Sequence, residues 1–262
     1  MYEVLKTVPS ILRGSIRSRG WEDAILEKSE SAVVPEATPC DPPNPLRTYF
    51  DSVKEGRGIW KWQHYFDIYH RHFRRFVGQE VHVVEVGIYS GGSLDMWKAY
   101  FGPKCKVYGV DIEEACKAYE DERTRIFIGD QGDREFWKDL RKQVPDIDIL
   151  IDDGGHLPEQ QIVTLEETLP YMRNGGVYLC EDVTGTHNRF AAYVHGLTSG
   201  LNAFALQNGR ESTVLPWDFQ RSICSLHLYP FVTVVEKAQY PVNELVAPKH
   251  GTEWQPFFSK PK

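Results

Sequence analysis

Long hydrophobic runs are missing from this chain of 262 residues. No stretch approaches the roughly 18 apolar residues that cross a bilayer, and residues 1–21, MYEVLKTVPSILRGSIRSRGW, carry charges where a secretory leader needs a continuous apolar core. A membrane is therefore not an expected partner, and the expected location is the cytoplasm. A basic excess is missing too. Lys and Arg number 30 against 37 Asp and Glu, a formal net charge of -7, whereas proteins that follow a phosphate backbone carry a basic stripe. Nucleic acid is excluded as an expected partner on that ground. Cysteine is sparse, odd in number and scattered (Cys40, Cys105, Cys116, Cys180 and Cys224), with no CxxC pair, so neither a zinc knuckle nor a disulfide framework is expected, and the thiols read as reduced.

What is present suffices for a full core, with 41% hydrophobic and 26% charged residues. Residues 28–46, KSESAVVPEATPCDPPNPL, are rich in Pro, Ser and Glu and read as irregular chain. The expected organisation is an N-terminal arm and linker over 1–55 and one catalytic domain over 56–262. From Ile59 to Phe76, aromatic residues at Trp62, Phe66, Tyr69, Phe73 and Phe76 alternate at spacings of four and three, the stripe of an amphipathic helix. Most of that stripe reads as core, while Trp62, His64 and Tyr65 near its start could cover a ligand.

Beyond it the chain repeats an apolar run followed by a helical segment: VHVVEV, KVYGVD, TRIFIG, IDILID and GVYLCE, each rich in β-branched or aromatic residues. That pattern predicts a parallel sheet with helices on both faces. ICSLHLY and FVTVVEK are joined only through Pro230, a link too short for anything but an antiparallel hairpin. The expected fold is α/β, a Rossmann-like, seven-stranded, mostly parallel sheet with an antiparallel last strand, plus an N-terminal helical arm. It resembles the class I methyltransferase sheet, an analogy of fold and not yet of function.

Each parallel strand ends in or near an acid: Glu85, Asp111, Asp130, Asp152 with Asp153, and Glu181 with Asp182. The carboxyl ends of such strands line one rim, and ligands bind outside it. A single acid there is commonly a loop residue or a helix cap; five strand ends together point to one cleft. The first turn, VEVGIYSGGS, holds Gly87, Gly91 and Gly92 but lacks the GxGxxG spacing that brings backbone against a pyrophosphate, which disfavours a dinucleotide and hence a nicotinamide oxidoreductase. Asp111 closes the second strand, where a carboxylate can accept from both hydroxyls of a ribose. A ribose anchor without a phosphate cradle suits S-adenosylmethionine. Asp130 and Gln131 would then sit beside the adenine, with helix capping the alternative for Asp130.

Asp153, Glu181 and Asp182 are far apart in sequence and can face one point, where three acids repel unless a cation joins them. All-oxygen ligands favour a hard ion, magnesium first, with manganese or calcium satisfying the same donors. The alternative is solvated carboxylates plus one capping acid. His156 follows Asp153 across Gly154 and Gly155, ahead of Pro158 at a helix start. A lone rim histidine is more often a hydrogen-bonded surface residue; beside a metal and a methyl donor it is the best proton acceptor available.

At these residues the chain resembles the magnesium-dependent, S-adenosylmethionine-dependent O-methyltransferases that modify sugars of natural products, the mycinamicin and rhamnosyl type. The resemblance runs from about Trp60 to Lys237 through KWQHYF, EVGIYSGGSLDMW, YGVDI, GDQGD, IDDGGH, QQI and NGGVYLCED. It implies that Asp153, Glu181 and Asp182 hold the metal, that His156 is the general base, and that Glu85, Gly87, Ser93, Asp111, Asp130 and Gln131 contact the donor. Catechol O-methyltransferase shares the turn that stands here as Gly87, Tyr89, Gly91 and Ser93, which adds Tyr89 and Gly91 to the expected donor site. Its fifth-strand motif is Asp-Asn, where this chain has Glu181 and Asp182, which favours a sugar over a catechol.

The implied reaction is methyl transfer to a sugar hydroxyl of a glycosylated natural product, a macrolide- or enediyne-type deoxysugar. The rivals are a cephalosporin-hydroxylase-like enzyme, a catechol-type methyltransferase and a non-catalytic donor-binding scaffold. Phe190, Tyr193 and Trp217 could pack on a sugar face or on the core. The aromatic helix and the proline-rich arm offer surface for a homo-oligomer, which is the expected assembly.

Overall fold

The computed structural model describes residues 43–144, 146–185, 187–202, 213–248 and 250–251, together with positions 8, 10–13 and 15. Contacts divide the chain into two compact units, Met1–Pro43 and Asn44–Lys262. In the first, the described positions are helical, and most of the proline-rich stretch lies outside the described residues. Its last two residues depart from the irregular chain expected there: Pro45 opens helix α1 (Pro45–Ser52), where its missing N–H costs nothing, and the Asn44 side chain accepts from the Leu46 and Arg47 N–H groups.

Seven strands form one sheet in the order β3-β2-β1-β4-β5-β8-β7. They are β1 (Val81–Val86), β2 (Cys105–Asp111), β3 (Thr124–Ile128), β4 (Ile149–Asp152), β5 (Val177–Cys180), β7 (Ile223–Tyr229) and β8 (Val232–Lys237). The pairs among β1 to β5 are parallel, and β8 runs antiparallel to both β5 and β7. This is the expected sheet. A second, two-stranded sheet pairs β6 (Thr213–Val214) with β9 (Leu245–Val246) and was not anticipated.

Alternate residues of each strand go to opposite layers. Val81, Val83, Val107, Ile149, Ile151, Val177 and Leu179 pack with Leu46 of α1, with Phe66, Tyr69 and Phe73 of α2 (Tyr65–Phe73), and with Leu94, Trp97 and Phe101 of α3 (Gly92–Phe101). Val84, Val86, Tyr108, Val110, Leu150 and Tyr178 pack with Trp137 and Leu140 of α4 (Arg134–Arg141), Leu165 of α5 (Pro158–Thr168) and Phe190 and Val194 of α6 (Arg189–Leu201). Period-two strands covered twice explain why β1 is buried along its whole length. The helix expected from Ile59 to Phe76 is shorter: it starts at Tyr65 and ends at Phe73, followed by a 3-10 turn Arg74–Phe76. Trp62 stands outside it and is exposed.

The order reverses between β1 and β4, so the loops after these two strands diverge from one point. They cross so closely that a Cβ on Gly87, at φ +79°, would lie 2.1 Å from the Asp153 carbonyl oxygen. Only glycine fits there.

Candidate active site

The carboxyl ends of β1 to β5 open into one cleft of about 1070 Å3, lined also by residues 58–63 and Tyr65. That covering segment is seated by the start of α3, since the Arg57 and Gly58 carbonyls lie 2.6 and 2.5 Å from where a Cβ on Gly92 would stand. Gly87, Tyr89, Ser93, Asp111, Asp130, Gln131, Asp153, His156, Glu181 and Asp182 all line the cleft. Glu85 and Gly91 do not. Glu85 is fully buried behind Ser93, whose hydroxyl donates to it at 2.8 Å, and Gly91 is the N-cap of α3 against the Tyr119 ring. Neither is among the residues that line the cleft, where the donor contacts are expected.

Asp111 braces the rim as well as lining it. Its Oδ2 accepts from the N–H groups of Ile88 at 3.0 Å and Tyr89 at 3.3 Å, and its Oδ1 accepts from Glu113 N–H at 3.0 Å. Of the roughly four lone-pair positions of a carboxylate, one is left for a ligand, so a ribose diol would not meet two free oxygens. The Gln131 amide is engaged in the same way: it donates to Asp152 at 2.9 Å and Thr164 at 3.1 Å, and accepts from Gly155 N–H at 2.7 Å, tying β3, β4 and α5 together. Asp130 does not cap α4; Asp133 does, while Asp130 accepts from Gly132 N–H and the Gln160 amide.

Asp153, His156 and Asp182 each offer a ligand atom, all within 4.8 Å of one another. His156 Nε2 stands 3.6 Å from Asp182 Oδ2 and 4.0 Å from Asp153 Oδ1, and the ring is 43% exposed. The two carboxylate oxygens fit a divalent cation that completes its shell with water or substrate oxygen, and His156 Nε2 stands beside them, where it can either join that shell or take a proton from an oxygen within it. Among the described residues four non-glycine residues have positive φ, and three of them, Tyr89, His156 and Asp182, line this cleft. Backbone strain of this kind persists only where the surroundings impose it. At Asp182 they are visible: the Tyr65 hydroxyl donates to Oδ1 at 2.7 Å and accepts from the Asp182 N–H at 3.3 Å, and the Trp62 indole donates to the same oxygen at 3.1 Å.

Glu181 is turned the other way. Its carboxylate is 1% exposed and accepts from the Tyr69 hydroxyl at 2.6 Å and from Lys61 Nζ at 3.1 Å. Lys61 also donates to Asp153 Oδ2 at 2.6 Å and lies 3.6 Å from Glu85 Oε1. Burial alone would lower the Lys61 pKa, but Asp153, Glu181 and Glu85 together raise it well above the ordinary value. Burial raises Glu181 and Glu85 above the ordinary carboxylate range, and Lys61 only partly offsets that. Thus the structure brings Asp153, Asp182 and His156 together, and places Glu181 on the inner side of a lysine that the sequence reading passed over. The one signal for Lys61 was a cation set between Trp60 and Trp62 in an otherwise apolar segment. Of the aromatic residues weighed for a sugar face, Phe190 is core, the Tyr193 hydroxyl bonds Glu166, Trp217 is 61% exposed, and none lines the cleft. His64 bonds the Pro230 carbonyl and lines a separate groove.

No protein-family model matches the chain. Mycinamicin VI 2''-O-methyltransferase of Micromonospora griseorubida is 35% identical over 192 residues, 65% of this chain and 47% of the relative. Demethylmacrocin O-methyltransferase of Streptomyces fradiae is 32% identical over 219 residues, 74% of this chain and 52% of the relative. Over that region the chain belongs to the family of these sugar O-methyltransferases. The family fold extends to solved structures. MycE methyltransferase from the mycinamycin biosynthetic pathway, in complex with Mg and SAH, superposes with a TM-score of 0.61 at 28% identity, covering 76% of this chain and 55% of that one. MycE with Mg, SAH and mycinamycin VI gives the same score over 74% of this chain and 53% of that one. This family member spans about half the length of the curated relatives it matches. Among the described residues, no helix is long and apolar enough to cross a membrane.

Proposed function

We propose that this chain transfers a methyl group from S-adenosylmethionine to a sugar hydroxyl of a glycosylated natural product, a macrolide- or enediyne-type deoxysugar, with magnesium as the working ion. The observation that carries the reading is the convergence of Asp153, His156 and Asp182 in a switch-point cleft that Asp111 also lines. The magnesium and SAH held by MycE, and the rhamnosyl and olivosyl groups in the names of three further relatives, support the same assignment.

When bound, S-adenosylmethionine supplies the methyl group and the divalent ion supplies Lewis acidity toward the sugar oxygen. Asp153 and Asp182 would hold the ion, and Glu181, the third acid of the set, would join them only on leaving Lys61. His156 accepts the hydroxyl proton at Nε2. Asp111, Asp130, Gln131, Gly87, Tyr89 and Ser93 form the donor side of the cleft, and the segment carrying Trp60 and Trp62 limits water access to it. Residues 56–262 form the catalytic domain, with α1 packed on it from the N-terminal side. The enzyme works in the cytoplasm as a homo-oligomer, whose order sedimentation would give.

General-base help contributes about 10²–10⁴-fold. His156→Ala is therefore expected to lower kcat by that range while magnesium and donor affinities, read by calorimetry, stay near wild type. Full turnover in the variant removes the base. Lost magnesium binding would make His156 a ligand instead. Product mass separates methyl transfer from the hydroxylation expected of a cephalosporin-hydroxylase-like enzyme.

A further inference from the structure

The Lys61 side chain is 3% exposed and its Nζ has three carboxylates around it: Asp153 Oδ2 at 2.6 Å, Glu181 at 3.1 Å and Glu85 Oε1 at 3.6 Å. An ammonium has three donors and no acceptor, so the number of acids matches the number of its N–H groups. Glu85 Oε1 has no hydrogen bond of its own, which leaves the ammonium as the charge that compensates it. Asp153 is shared between two neighbourhoods. Its Oδ2 meets Lys61, while its Oδ1 faces His156 across 4.0 Å, on the side where Asp182 converges. A divalent ion at Asp153 and Asp182 would therefore sit one carboxylate away from a fixed positive charge.

We propose that Lys61 is a built-in counter-cation of this acid cluster, a positioning residue that holds Glu181, Glu85 and Asp153 together without metal and competes with the divalent ion for Asp153 and Glu181. The inference rests on the proposed role of Asp153, Glu181 and Asp182 as the ion-holding residues. It follows from charge: the buried Glu85 and Glu181 and the partly exposed Asp153 repel one another at these distances, and either an ammonium or a divalent ion relieves the repulsion. A cation already in place weakens the binding of a second one. It also accounts for the orientation of Glu181, drawn toward Lys61 and Tyr69 instead of toward Asp182.

The test is calorimetric titration of magnesium chloride into the full chain, as wild type, Lys61→Met and Lys61→Arg, with thermal melting of each with and without the ion. Lys61→Met is expected to bind magnesium at least about tenfold more tightly than wild type. It is also expected to melt lower than wild type without the ion and to gain more from saturating magnesium. Lys61→Arg, which keeps the charge, stays near wild type in affinity. Equal or weaker binding by Lys61→Met, with wild type binding magnesium, overturns the inference. No magnesium binding by either wild type or Lys61→Met overturns the metal reading itself. If Lys61→Met is unfolded both with and without magnesium, acetylation of wild type by acetic anhydride decides. Faster modification of Lys61 once magnesium is added supports displacement of the ammonium, and unchanged protection refutes it.

Discussion

Tyr65 and Trp62 both spend their polar hydrogens on Asp182 Oδ1, and Tyr65 also receives the Asp182 N–H. A residue at φ +52° needs such restraint, so Tyr65→Phe is expected to lower kcat/KM about tenfold and to destabilise by about 1 kcal/mol, the ordinary worth of one lost hydrogen bond. Steady-state kinetics beside urea unfolding checks the pair of effects; unchanged kinetics would show that Asp182 does not need the clamp. Away from the cleft, His72 Nδ1 pairs with Glu236 Oε1 at 2.9 Å and Arg75 donates to the same oxygen at 3.1 Å. The hydrogen bond with His72, then Arg75, lowers the Glu236 pKa from 4.5 to about 2. Since the folded value lies below the unfolded one, the stabilisation is complete above about pH 4.5 and is lost as pH falls through about 2. Glu236→Gln is expected to lower Tm at neutral pH and to flatten the acid limb between those values, and a variant that kept the wild-type limb would place the acid sensitivity elsewhere. At this scale Asp153, His156 and Asp182 were legible because motif and strand end coincide. Lys61 was not, since nothing in KWQ says that its ammonium reaches acids 92 and 120 residues away.

The strands were the legible elements, because five β-branched or aromatic runs separated by helical segments admit few arrangements other than a parallel sheet. Helix α2 was overextended. Its stripe of aromatics continues at the same spacing on either side, but Trp62 belongs to the segment that reaches Asp182, and Phe76 follows in a 3-10 turn. The crossing of the loops after β1 and β4 was invisible in the sequence, which shows a glycine at 87 but not the Asp153 carbonyl beside it. Gly87→Ala would force a Cβ into 2.1 Å contact at positive φ. Loss of at least about 2–3 kcal/mol in urea unfolding is expected, larger than the 1 kcal/mol of a strained residue alone, and an unperturbed variant would mean that the crossing is loose. Phe190, weighed as a sugar contact, lies in the layer of α4, α5 and α6 with no exposed surface. Phe190→Ala is expected to cost about 3–5 kcal/mol of stability.

The whole molecule places a net charge of -7 around a cleft whose own acids converge. Such a field favours a divalent cation and a cationic sulfonium donor over any phosphorylated ligand, in keeping with a first turn that lacks the pyrophosphate-binding glycine spacing. It also means that the acids require compensation, which Lys61 supplies within the fold. The most direct measurement is transfer of labelled methyl from S-adenosylmethionine to a panel of glycosylated natural products, run with magnesium and again with excess chelator. The account predicts label in a sugar product with magnesium and its disappearance with the chelator, restored by added ion. Methyl transfer that continues undiminished in chelator would contradict it.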